Sequence, residues 1–114
     1  MKGQPFIKRL GFALHGLHLA FRREASLRLQ FLAATGALVG LIVTAAPPVW
    51  WAIGILVIGL VLVAELVNSA LETLSDLLHP AHHPEIRAVK DIAAGAVLVA
   101  SVIALAVALA FCLS

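Results

Sequence analysis

The chain has 114 residues, of which 62% are hydrophobic and 12% charged, with a formal net charge of +2. A soluble domain is nearer half apolar and a quarter charged, and a chain this short buries the smallest share of its surface. The apolar surplus therefore points to lipid as solvent and to one domain over residues 1–114. Disorder is excluded by the same figures, and a disulfide scaffold by Cys112 being the sole cysteine; the slight positive charge suits an anionic headgroup layer, not nucleic acid.

The first predicted element is a helix over about residues 5–23. Phe6, Leu10, Ala13, Leu14, Leu17 and Phe21 share one side at 100° per residue, and Lys8, Arg9, His15, His18, Arg22 and Arg23 share the other. Phe12 and Leu19 break the pattern. This reads as a basic amphipathic helix lying in the membrane interface. No long apolar stretch follows the first basic residues, so a signal peptide is not expected.

Residues 29–64 and 92–114 contain no Lys, Arg, Asp or Glu. A spanning helix takes about 20 apolar residues, so the first stretch holds more than one span, divided at Pro47 and Pro48. Span one is expected at about residues 27–45 and span two at about 50–78. Ala46, Pro47, Pro48 and Val49 form the hairpin, with Trp50 and Trp51 as interfacial anchors. Span three is expected at about 88–113, and Ala93, Ala94, Gly95 and Ala96 near its start predict close helix packing. Lys2, Lys8, Arg9, Arg22, Arg23 and Arg28 precede or open span one, and Arg87 and Lys90 follow span two; the hairpin and the C-terminus have neither type. The positive-inside rule then puts the N-terminus and the loop of His79, His82 and His83 in the cytoplasm, and the C-terminus outside.

Span two ends in four polar residues that lipid does not tolerate alone. Glu65, Asn68, Glu72 and Asp76 lie at i, i+3, i+7 and i+11 and so form one helical stripe. Glu65 falls roughly 22 Å along the helix from Trp50, inside the edge of a ~30 Å hydrocarbon layer. A lone ionised carboxylate there costs at least about 2.5 kcal/mol, so Glu65 and Glu72 are expected to face protein or a wet cavity, whereas Asp76 reads as a polar helix end beyond the lipid. Arg22, Arg23, Glu24 and Arg28 at the start of span one, and Arg87, Lys90 and Asp91 at the start of span three, reach the same level. Arg87 and Asp91 also fit a plain i, i+4 pair. Carboxylates, an amide and a lysine facing one another could hold a divalent cation and phosphate groups, since Mg²⁺ takes one or two carboxylates and fills its shell with phosphate and water, and Lys binds phosphate.

No P-loop, dinucleotide fingerprint or protein-kinase motif is present. Phosphoryl transfer does not demand one, because alignment, a metal, charge stabilisation and a base suffice. The cluster of His79, His82 and His83 lacks nearby Cys or well-spaced carboxylate ligands for zinc; it reads as a loop that touches nucleotide or as a plain solvated one.

Glu65, Asn68, Ser69, Ala70, Glu72 and Asp76, followed after thirteen residues by Lys90, Asp91 and an Ala-Gly-Ala-Val-Leu run, resemble the small integral-membrane lipid kinases, the prokaryotic diacylglycerol kinase and undecaprenol kinase family. Gly16, Leu17, Ala20, Phe21, Glu24, Ala25 and Arg28 fit the same pattern, so the resemblance covers nearly the whole chain. It implies an all-α membrane protein with an N-terminal amphipathic surface helix and three transmembrane helices, assembled as a homotrimer with shared sites in a bacterial inner membrane. The implied activity is ATP- and Mg²⁺-dependent phosphorylation of a membrane lipid alcohol. Glu65 would be the general base, and Glu24 and Glu72 would hold Mg²⁺. Asn68, His83, Lys90 and Asp91 would join Glu24 and Glu72 around the nucleotide, and Arg28 and Ser69 would stand with Glu65 beside the lipid substrate.

Two positions depart from the diacylglycerol kinases: Phe12 stands where a tyrosine is expected near the adenine, and Pro5 where an arginine is expected, with Lys8 or Arg9 as substitutes. The loop from His83 to Asp91 and the run after it look more like the undecaprenol kinase branch. The rival readings are a small proton-coupled transporter and a structural, holin-like peptide. A transporter of this size needs four spans and a mid-helix carboxylate, and a structural peptide leaves the acidic stripe unexplained.

Overall fold

The computed structural model describes residues 3–78 and 83–114. Four helices follow one another: α1 (Phe6–Arg23), α2 (Ala25–Val43), α3 (Pro48–Leu78) and α4 (Pro84–Leu113). The last three are long and apolar enough to cross a membrane. At 1.5 Å per residue, α2 with its 19 residues reaches about 28 Å, one hydrocarbon thickness, while α3 and α4 with 31 and 30 residues reach about 45 Å. The surplus length of α3 and α4 is their charged end, with Glu72 and Asp76 on α3 and Glu85, Arg87, Lys90 and Asp91 on α4.

Each boundary has a local cause. A single residue separates α1 from α2: Glu24 is extended at φ −108°, ψ 108°. The predicted break of several residues is therefore shorter, because Ala25 and Ser26 already continue as helix. The end of α1 is closed from outside, since the Arg28 guanidinium donates to the carbonyls of Phe21 (2.8 Å) and Arg22 (3.0 Å). The rings of Phe21 and Phe31 meet edge to face at 5.4 Å and tie α1 to α2.

The turn from α2 to α3 is a Schellman cap followed by a proline start. The Ala46 N–H donates to the Leu41 carbonyl (3.0 Å) and the Ala45 N–H to the Ile42 carbonyl (3.1 Å). This places Ala45 in the left-handed region, φ 49°. Pro48 then opens α3 at its first position, where the missing N–H costs nothing, two residues earlier than predicted. The start of α4 also comes earlier: Pro84 is its first residue, and His83 caps it through Nδ1, which accepts from the Glu85 N–H at 3.1 Å.

Helices α2 and α3 form an antiparallel hairpin, and α3 and α4 share the most extensive contact of the bundle. Ala93 and Ala100 are buried in α4, in line with the close packing predicted from small residues. On the other side Leu27, Leu41 and Val61 are buried, and Gly54 lets α2 approach: a Cβ there would lie 3.1 Å from Leu41 Cδ1. Trp50 meets Phe111 edge to face at 5.2 Å, at the end of the bundle remote from the charges. Little else is enclosed. Only 11%, 11% and 6% of the apolar windows of α2, α3 and α4 are buried, and α1 buries no residue at all.

Candidate functional site

The hairpin register decides which polar groups meet. Glu24 and Ser26 sit at the start of α2, and Glu65 and Ser69 lie one turn apart on α3. The antiparallel pairing crosses them reciprocally. Ser26 Oγ donates to Glu65 Oε1 at 2.5 Å, and Ser69 Oγ donates to Glu24 Oε1 at 2.8 Å. Each carboxylate thus takes a hydroxyl from the opposite helix. Glu65 is 6% exposed; a carboxylate withdrawn from water needs such a donor, because burying one unpaired costs at least about 2.5 kcal/mol. The level of Glu65 also follows from its partner. Ser26 is the second residue of α2, so Glu65 stands where that span begins.

Asn68 stands on the α4 side of the stripe and lines a pocket of about 450 Å³ between α3 and α4, with Ala64, Val67, Leu71, Val89, Ile92, Ala93 and Ala96. Its Oδ1 is buried and has no hydrogen-bond partner among the described residues. A buried amide oxygen without a donor is costly. Glu72 is half-buried one turn beyond Asn68.

Farther along α3 the charges pair within the chain. The Lys90 ammonium contacts the Asp76 carboxylate across the α3–α4 junction. Arg87 Nε pairs with Asp91 Oδ1 at 3.2 Å along α4, the i, i+4 pair that the spacing allowed. Asp76, read from the sequence as a plain helix end, is thus the partner of Lys90. His83 caps α4, and Arg28 closes α1; His79 and His82 lie outside the described residues.

Among the described residues no three His, Cys, Asp or Glu side chains converge as a metal cluster. The donor set nevertheless suits Mg²⁺. Glu24 accepts from Ser69, three residues before Glu72 on the same helix, and one or two carboxylates is the usual protein share of a Mg²⁺ shell completed by phosphate and water.

The residues that the sequence singles out are Glu24, Arg28, Glu65, Asn68, Ser69, Glu72, His83, Lys90 and Asp91. The fold brings Glu24, Glu65 and Ser69 together through the two reciprocal bonds. It keeps Lys90 and Asp91 at the start of α4 with Asp76 and Arg87. Ser26, the hydroxyl partner of Glu65, is the residue of this arrangement that sequence reasoning missed. Its signal is the mirrored order of acid and hydroxyl, Glu24 and Ser26 against Glu65 and Ser69, which becomes visible once the two spans are folded back on a tight turn.

Comparison with known proteins matches this arrangement to a class. The family model of prokaryotic diacylglycerol kinase matches residues 11–112, from the middle of α1 nearly to the end of α4. The undecaprenol kinase of Bacillus subtilis (strain 168) is 36% identical over 98 residues, covering 86% of this chain and 80% of the relative. The chain belongs to the prokaryotic diacylglycerol kinase family. It is a lipid kinase, and its three apolar helices make it an integral membrane protein.

Proposed function

We propose that this chain transfers the γ-phosphoryl group of MgATP to the hydroxyl of a membrane lipid alcohol, with undecaprenol as the first candidate and diacylglycerol as the second. The observation that carries the reading is the buried Glu65 carboxylate, hydrogen-bonded at the level where the spans begin. A lipid hydroxyl at the interface reaches that level without leaving the membrane. The similarity to an undecaprenol kinase supports the order of the two substrates, as does the segment from His83 to Asp91, which the sequence reads as a loop and which forms the cap and first turns of α4.

In this reading Glu65 takes the hydroxyl proton as the oxygen attacks phosphorus in line. Glu24 and Glu72 would hold Mg²⁺, which would offset the charge on the ATP phosphates. Lys90, near the start of α4, offers its ammonium to the phosphates in exchange for Asp76. Asn68, His83 and Asp91 complete the nucleotide side, and Arg28 and Ser69 stand near the lipid hydroxyl. The N-terminus and the α3–α4 loop lie in the cytoplasm, and α1 rests on the membrane surface with its basic face outward.

We further propose a homotrimer with sites shared between neighbours. The sparse burial of α2, α3 and α4 supports a chain completed by copies of itself.

The test is purified full-length protein in mixed micelles with labelled ATP and Mg²⁺, given undecaprenol or diacylglycerol. Labelled undecaprenyl phosphate at the higher rate supports the proposal. A faster yield of phosphatidic acid reverses the order, and labelling of neither lipid overturns the reading.

A further inference from the structure

We propose that Ser26 is a positioning residue for the Glu65 base, a role that rests on the reading of Glu65 given above. Ser26 is an exposed residue in the first turn of α2. A serine there satisfies its hydroxyl with water at no cost. Its hydroxyl instead donates to Glu65 Oε1 at 2.5 Å. The need belongs to the carboxylate: Glu65 is 6% exposed, and Ser26 is its hydrogen-bond donor.

The bond assigns the two carboxylate oxygens. Oε1 is occupied by the Ser26 hydroxyl, which leaves Oε2 to receive the proton of the lipid alcohol. In the transfer step the lipid O–H bond breaks and its proton passes to Oε2. The oxygen's electron pair forms the new bond to the γ-phosphorus, and the bond from that phosphorus to the β,γ-bridging oxygen breaks, so ADP leaves with its electron pair. A base free to rotate loses the in-line geometry that the transfer requires. Ser26 touches neither ATP nor lipid in this scheme, so its loss slows the chemical step without weakening substrate binding.

The test measures kcat and KM of full-length Ser26→Ala and Ser26→Thr in micelles with labelled ATP and the lipid that the wild type phosphorylates faster. Rates are normalised to folded protein by its elution profile. Removing one hydrogen bond to a charged group corresponds to about tenfold in rate. The expected result is kcat about tenfold lower in Ser26→Ala, with KM for ATP and lipid within about twofold, and recovery in Ser26→Thr, which restores a hydroxyl. An unchanged kcat in Ser26→Ala, a loss that follows only the folded fraction, or a Ser26→Thr no better than alanine overturns the positioning role. Glu65→Gln, run alongside, separates the two ideas: activity retained in it defeats the base assignment itself and the positioning role with it.

Discussion

At the scale of single residues, the proposed site gives its carboxylate oxygens defined hydroxyl partners and leaves Asn68 Oδ1 without one among the described residues. The Glu65 carboxylate is the group whose loss is expected to matter most. Glu65→Gln keeps the size and the bond to Ser26 but removes the basic oxygen, so turnover should fall by about 10² or more, the usual worth of a general base, while the elution profile in detergent stays that of the wild type. Asn68 gives a prediction of opposite sign for stability and activity. Its Oδ1 is buried and unpaired, among Val67, Leu71, Val89 and Ile92. Asn68→Leu replaces an unsatisfied acceptor by an apolar group and should raise the melting temperature, by about 1 kcal/mol of stability, while lowering kinase activity. A variant both less stable and fully active would show that the amide is a structural group.

At the scale of elements, the turns and helix ends decide the register. Ala45 takes a left-handed conformation, φ 49°, at the end of α2, a place that glycine occupies without strain. Ala45→Gly should therefore stabilise the hairpin by roughly 1 kcal/mol, read as a higher melting temperature with unchanged activity. Gly54 makes the complementary case. A Cβ added there would stand 3.1 Å from Leu41 Cδ1, so Gly54→Leu should push α2 from α3 and cost about 1–3 kcal/mol. Because Ser26 and Glu65 depend on that same contact, activity should fall with it, as a joint assay of melting and turnover would show. The elements themselves were largely legible beforehand. Uncharged stretches, Pro47, Pro48 and the basic residues before α2 located three spans, since hydropathy and proline chemistry are local properties. The boundaries at Ala25, Pro48 and Pro84 moved because caps lengthen helices through backbone hydrogen bonds that composition does not record.

At the scale of the whole molecule, charge is concentrated at one end of the bundle and the apolar remainder is open to its surroundings. With Lys and Arg confined to the N-terminal segment through α1, the start of α2 and the start of α4, the positive-inside rule predicts that these segments face the cytoplasm. In a Cys112→Ala background, a cysteine at Ser114 should react with a membrane-impermeant maleimide added to the outside of cells, and one at Lys8 only after permeabilisation. The reverse pattern would turn the molecule over and place Glu65 away from cytoplasmic ATP.

By itself, the amino-acid order specified a membrane solvent, three spans and a stripe of Glu65, Asn68, Glu72 and Asp76, because each is a matter of composition or of periodicity along one helix. It also carried the resemblance to a lipid kinase family, which the match over residues 11–112 bears out. The tertiary structure alone decided the partners: Ser26 for Glu65, Ser69 for Glu24, Asp76 for Lys90, and none among the described residues for Asn68 Oδ1. Helical spacing says which residues share a face, but which face meets which neighbour depends on the register that the Ala45 turn imposes and on how closely Gly54 and Ala93 let the helices approach.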